Sequence, residues 1–283
     1  MLKIGIIQEG KVPPDSRVPL TPTQCQKVQE QFPVQMRVAP SPSRCYSDEE
    51  YRQAGVELQS DLSDCDVLMG VKEVPIKSLI DHKTYFFFSH TIKKQSYNRS
   101  LLQAILHQQI RLIDYEVLTN EKGQRLIAFG RFAGMVGAHN TMMTYGKRTG
   151  LYQVKRMHLC RDYAEAKVIY QNLQLPAAKI VLTGTGRVAS GAAEVLKDMG
   201  IRQVSPQEYL QGSLDEMVFT QLDCEDYAER KDGQAFDLAT FFEHPQQFQS
   251  TFRAYALQSD IMINGIYWDN RAPAFFSLED TGA

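Results

Sequence analysis

Short apolar runs alternate with stretches of helical spacing along most of the chain. Lys3 to Ile7 is the first apolar run, and Thr21-Pro22 opens a helix after it, with Thr21 as N-cap and Pro22 at the first helical position. QMRVAP predicts a second strand, SDEEYRQAG a capped helix, CDVLMGVKEVP a strand ending near Lys72, and KTYFFFSH the next strand. QSYNRSLLQAILHQQ has the spacing of an amphipathic helix, and IRLIDYEVL reads as the strand after it. This alternation predicts an α/β fold, a parallel sheet covered on both faces, over residues 1–132.

From Ala133 to about Gln174 the pattern is helical, with Gly134, Gly137 and Ala138 where close packing needs small residues. Residues 133–174 therefore read as a helical connector and 175–283 as a nucleotide-binding domain. In AAKIVLTGTGRVASGAAEVLKDMG a strand runs straight into a glycine-rich turn and a helix. Gly184-Thr185-Gly186-Arg187-Val188-Ala189 satisfies the G-x-G-x-x-G/A form in that strand-turn-helix context. Such a turn lets the backbone approach a pyrophosphate, whose charge then sits on the helix N-terminus. An NAD site expects an acid about twenty residues further on, at the end of the second strand. The sequence there reads IRQVSPQEY, with Ser205 near the position and Glu208 beyond Pro206. With that acid missing and Arg187 or Arg202 available to a 2′-phosphate, NADP(H) is favoured over NAD(H); the bland alternative leaves both arginines solvated.

Composition narrows the classes. With 283 residues, 43% of them hydrophobic, the chain can bury two cores. A formal net charge of -2 with scattered Lys and Arg argues for small-molecule ligands and against nucleic acid. No apolar run reaches the roughly eighteen residues a membrane helix needs, and MLKIGIIQEG enters a strand at once, so a cytoplasmic location is expected. Cys25, Cys45, Cys65, Cys160 and Cys224 show no CxxC spacing and read as structural thiols in a reducing compartment, with no metal site. Residues 84–145 concentrate the candidate chemistry. An apolar run delivers His90 and Lys93-Lys94, the next strand delivers Asp114 and Glu116, and Arg125 precedes a Gly-rich helix start. Charge is tolerated at the mouth of a buried strand, where desolvation and neighbours tune a pKa.

KTYFFFSHTIKKQ, IRLIDYE, AFGRFAGMVGA, TGTGRVASGA, EHPQQFQSTF and INGIYWDNRAP together resemble the lysine-ketoglutarate reductase domain of bifunctional aminoadipic semialdehyde synthases. Lysine-forming saccharopine dehydrogenases and, further off, the alanine dehydrogenase and transhydrogenase group are the wider relatives. The resemblance implies two Rossmann-like three-layer α/β/α domains with substrate and nicotinamide meeting in the cleft. It also implies a reaction in which lysine and 2-oxoglutarate condense to an imine that NADPH reduces to saccharopine, or the reverse. By the same resemblance Lys72 in GVKEVP matches an acid/base lysine, needing a lowered pKa, and His90 in FSHT matches an acid/base histidine. Glu116 in DYE matches an acid beside that pair. Arg17 in SRVPLTP would clamp a substrate carboxylate, and Arg125 in GQRLIAFG is another substrate-side position.

The family pattern continues past INGIYW with further strands, a segment near the nicotinamide and a returning helix, whereas this sequence stops at SLEDTGA. The second domain is therefore expected to be truncated, with only about the first four strands of a 3-2-1-4-5-6 sheet and an open edge that invites a homo-oligomer. Two other readings stand beside the NADPH enzyme: an NAD-dependent saccharopine or amino-acid dehydrogenase, and a non-catalytic nucleotide-binding protein or fragment.

Overall fold

Thr21 starts the first helix through its own side chain. Its hydroxyl accepts from the Gln24 amide at 3.3 Å, the Gln24 carboxamide oxygen accepts from the Thr21 amide at 2.9 Å, and Pro22 fills a position whose N–H would have no helical partner. Ser47 and Glu50 repeat the reciprocal cap at the next helix. The computed structural model describes residues 1–13, 15–212, 215–267 and 269–277. Trp268 and the SLED segment from 278 onward lie outside these residues. The chain divides into two units, Met1–Ala128 and Phe129–Ala283.

The first unit runs β1 (Leu2–Ile6), α1 (Pro22–Gln31), β2 (Val34–Val38), α2 (Asp48–Gln53), β3 (Glu57–Leu58), β4 (Val67–Met69), β5 (Thr84–Phe87), α3 (Arg99–His107) and β6 (Arg111–Asp114). Its strands pair in parallel in the order β3-β2-β1-β4-β5-β6, so the chain reverses direction of winding between β1 and β4. Apolar clusters form around Met36, Val38 and Tyr51 and around Leu68, Tyr85 and Phe87. Leu101 and Ile105, four apart on α3, supply the buried helical stripe that the sequence spacing announced.

The second unit comprises α4 (Gly130–Thr149), α5 (Tyr163–Tyr170), β7 (Lys179–Thr183), α6 (Arg187–Asp198), β8 (Arg202–Val204), α7 (Pro206–Gln211), β9 (Val218–Leu222), α8 (Cys224–Tyr227), β10 (Ala228–Arg230), α9 (Leu238–Glu243), β11 (Phe248–Ser250), α10 (Arg253–Ala256) and β12 (Ile261–Asn264). Ile180 and Leu182 of β7 join one buried cluster and Val181 the other, so helices cover both faces of the sheet. Both units are thus α/β, parallel sheets flanked by helices. Among the described residues no helix is long and apolar enough to cross a membrane.

Two expectations change. The helix read as a connector is part of the second unit: α4 lies against α6, where a Cβ on Gly134 would stand 1.8 Å from the Val188 carbonyl oxygen and one on Gly191 2.0 Å from that of Arg131. One bare residue on each helix lets the backbones touch, and Arg131 Nε donates to Glu194 at 2.8 Å across the same crossing. The second sheet runs β12-β7-β9-β8, so the strand after α6 is the edge strand and β9 lies beside β7. Residue type explains the exchange. In β8 only Val204 is buried, whereas Val218, Phe219, Thr220 and Leu222 of β9 are all buried and need a central place.

Gly191→Ala is expected to destabilise the protein by about 1–3 kcal/mol or more, because backbone faces the new methyl. Gly137→Ala, on an open face of α4, is expected to stabilise it by up to about 1 kcal/mol. Urea unfolding of the two variants checks both signs; equal midpoints would remove the close-crossing account.

Candidate active site

The carboxyl ends of β4, β5 and β6 lie side by side, because Met69 is in register with Phe86, and Phe87 with Asp114. Lys72, His90 and Glu116 each follow one of these ends by a few residues, so the sheet itself brings them together. Lys72 Nζ stands 3.3 Å from His90 Nε2, and His90 Nδ1 stands 3.1 Å from Glu116 Oε2. Glu116 Oε2, which only accepts, and Lys93 Nζ, which only donates, both reach His90 Nδ1, at 3.1 and 3.2 Å; with the Nδ1–H given to the carboxylate, the Nε2 lone pair faces the Lys72 ammonium. Lys93 Nζ closes on the same carboxylate at 3.3 Å, and Glu73 Oε1 lies 3.8 Å from His90 Nε2.

His90 sits in the left-handed region, at φ 56°, which costs a residue with a Cβ roughly 1–2 kcal/mol. A buried carboxylate holds it there. Asp114 accepts from the Ser89 hydroxyl and, through its other oxygen, from the Glu116 amide at 2.8 Å, while Ser89 Oγ also accepts from the Thr91 amide at 3.1 Å. The residues before His90 and at Glu116 are therefore pinned to one group. The Phe88 ring stacks on the imidazole, with centroids 6.2 Å apart.

Burial lowers the Lys72 pKa, and the Arg17 and Lys11 charges lower it further. Burial works to raise Glu116, but hydrogen bonds from His90 and Lys93 hold it below the usual carboxylate range. Of the expected carboxylate clamps, Arg125 lies 3.9 Å from Glu116 and 6.0 Å from the Phe88 ring centre, within the cluster. Arg17 is on the turn after β1, where Asp15 takes its Nε at 2.8 Å and its Nη2 at 2.5 Å. Sequence reasoning missed Glu9. This half-buried acid follows β1 at the winding switch and accepts from the Val71 and Lys72 amides at 2.6 and 3.0 Å, fixing the backbone that carries Lys72. Burial raises its pKa against those hydrogen bonds. The one available signal was an acid directly after a strand, the same signal that singled out Glu116.

In the second unit Gly184 takes φ 89°, and a Cβ there would lie 2.7 Å from the Ile266 side chain. A Cβ on Gly186 would point into open space, which leaves bare backbone for a ligand, and Gly186 gives α6 no capping side chain. A cavity of about 450 Å³ adjoins the turn, lined by Gly184, Thr185, Gly186, Asp223 and the apolar Tyr227 and Phe241. The residues present fit a dinucleotide, with Arg187 exposed at the first position of α6. Arg202 does not belong to this place. Arg202 pairs in register with Val218, and Val218 with Lys179, so it is level with the start of β7, about 16 Å along the strands from the turn. Glu208 and Glu216 bind its guanidinium at 2.8 and 2.7 Å, and Ser205, after the edge strand β8, is the N-cap of α7.

The fold and these strand-end groups define a class that the comparisons name. Residues 5–136 match the family model of the alanine dehydrogenase/PNT N-terminal domain. A solved L-alanine dehydrogenase superposes with a TM-score of 0.57 at 16% identity, over 99% of this chain and 70% of that one, which shows a shared fold. In sequence the chain is 32% identical to the mitochondrial alpha-aminoadipic semialdehyde synthase of Rattus norvegicus over 94% of its length, and 30% identical to the Arabidopsis thaliana synthase over 98%. It spans only 31% and 30% of those two proteins. It is 24% identical to the NAD(+), L-lysine-forming saccharopine dehydrogenase of Emericella nidulans, over 98% of this chain and 69% of that one. The chain is similar to these synthases and dehydrogenases, and its residues 5–136 resemble the alanine dehydrogenase/PNT N-terminal domain, as its motifs indicated.

Asp114→Ala would strand the Glu116 amide and leave the Ser89 hydroxyl only Thr91 Oγ1, 2.8 Å away, to donate to. It is expected to cost about 1–3 kcal/mol in denaturant unfolding. An unfolding midpoint equal to the parent's would show that the pin is dispensable.

Proposed function

We propose that this chain is a nicotinamide-dependent oxidoreductase of lysine metabolism that couples an amine to a 2-oxo acid. Lysine and 2-oxoglutarate are the substrates in one direction and saccharopine in the other. The observation that carries the proposal is the contact chain Lys72–His90–Glu116, with a cation, an imidazole and a carboxylate in hydrogen-bond reach at adjoining strand ends. The kinship with saccharopine dehydrogenases supplies the substrate class.

The chemistry follows from the charges. Lys72, with its proton held loosely by burial, is suited to take a proton from the substrate ammonium and free the amine for attack on the 2-oxo carbon. Lys72 hands that proton to His90 Nε2, 3.3 Å away, and His90 delivers it to the carbinolamine hydroxyl, which leaves as water and gives the imine. The Glu116 carboxylate stabilises the imidazolium whenever His90 holds both protons. Arg125, beside this cluster, offers a fork to a substrate carboxylate, and Arg17 does so once Asp15 shares it. When bound, the nicotinamide supplies the hydride that reduces the imine carbon. The Gly184 turn, the start of α6 and Arg187 would hold its pyrophosphate.

The reading is tested by following nicotinamide absorbance with lysine and 2-oxoglutarate together and with each omitted in turn. Oxidation that needs both substrates is expected; dinucleotide binding without turnover would select a non-catalytic relative. Lys72→Met and His90→Gln are each expected to lower kcat by about 10²–10⁴ with dinucleotide affinity unchanged. In the condensation direction the neutral Lys72 amine is the active form. The rate should therefore climb with pH through a value below the ordinary lysine range of about 10.4. A pH profile of Lys72→Met that keeps this limb would remove Lys72 from the mechanism.

A further inference from the structure

We infer that Asp223 selects a cofactor whose adenosine ribose carries a free 2′-hydroxyl, so that the chain takes NAD(H) in preference to NADP(H). This deepens the reading of the Gly184 turn as a dinucleotide site and rests on it. The geometry begins with the strand order. Because β9 lies beside β7, the strand end next to the glycine turn is Leu222-Asp223. Two hydrogen bonds tie that end to the turn: the Gly184 amide donates to the Leu222 carbonyl at 2.8 Å, and Gln221 Nε2 donates to the Gly184 carbonyl at 2.9 Å. Asp223 lines the same cavity as Gly184 and Gly186. It therefore occupies the end of the strand adjoining the first, where an acid takes the ribose hydroxyls and repels a phosphate.

Three described cations bear on that preference, and Arg271, between the cavity-lining Asp269 and Ala272, is held by the Asp269 carboxylate at 2.6 Å. Arg202 is level with the far end of the sheet and already bound by two glutamates, and Arg187 begins α6, beside the pyrophosphate position. Asp223 does have a structural duty. Its carboxylate accepts from the Cys224 amide at 2.7 Å as the N-cap of α8. A carboxylate has about four acceptor positions, so capping and ribose binding are compatible.

The capping duty makes the test sharp, because asparagine caps a helix as well as aspartate does but carries no charge. NADH and NADPH are titrated by their fluorescence into the full chain and into Asp223→Asn, with thermal unfolding of both. The expected result is NADH binding at least about tenfold tighter than NADPH. In Asp223→Asn that ratio should narrow through a gain in NADPH affinity, with the unfolding temperature kept. NADPH binding as tightly as NADH, or a ratio untouched in the variant, would overturn the inference while leaving the dinucleotide site standing. Failure of both nucleotides to bind the parent would overturn the dinucleotide reading and the inference together.

Discussion

One buried carboxylate organises the first unit's candidate site. Asp114, at the last position of β6, accepts from the Ser89 hydroxyl on one oxygen and from the Glu116 amide on the other. Through those bonds the left-handed turn at His90 and the turn at Glu116 become one rigid piece. Parallel registry does the rest, since β4, β5 and β6 end level and their next few residues have nowhere to diverge. The strain at His90 is retained because this hydrogen-bond set and the stacked Phe88 ring define one place for the imidazole.

Around that piece the charges are close to balance. Glu116 faces His90, Lys93 and Arg125, while Glu9 and Glu73 flank Lys72 and His90. Glu9 grips the amides of Val71 and Lys72, so its influence is on position. Lys72 is thereby left with burial and neighbouring cations as the main influences on its proton, which is the condition for an amine that must both hold and release one.

Much of this was legible in residue types. Apolar runs such as TYFFF, capping residues such as Thr21 and Ser47, and the ionisable residues just after the runs marked strands, helix starts and the places of His90 and Glu116, while Lys72 was marked by the family resemblance. Glu9 escaped notice because its partners are backbone amides brought close only by the winding switch between β1 and β4. The strand exchange escaped because distance along the sequence was read as order in the sheet. The exposed Arg202 and Gln203 of β8 already had the polarity of an edge, and β9 the apolar character of a centre. The place of α4 depended on Gly134 meeting Gly191, a long-range contact that no local pattern announces.

The central claim is that Glu116 fixes His90 with its proton on Nδ1 and its lone pair toward Lys72. The direct measurement is ¹⁵N NMR of the histidine rings, with His90→Gln used to assign the signal, at a pH where the imidazole is neutral. The account predicts a protonated Nδ1 and a bare Nε2, changing in Glu116→Gln. A neutral His90 protonated on Nε2 would contradict it.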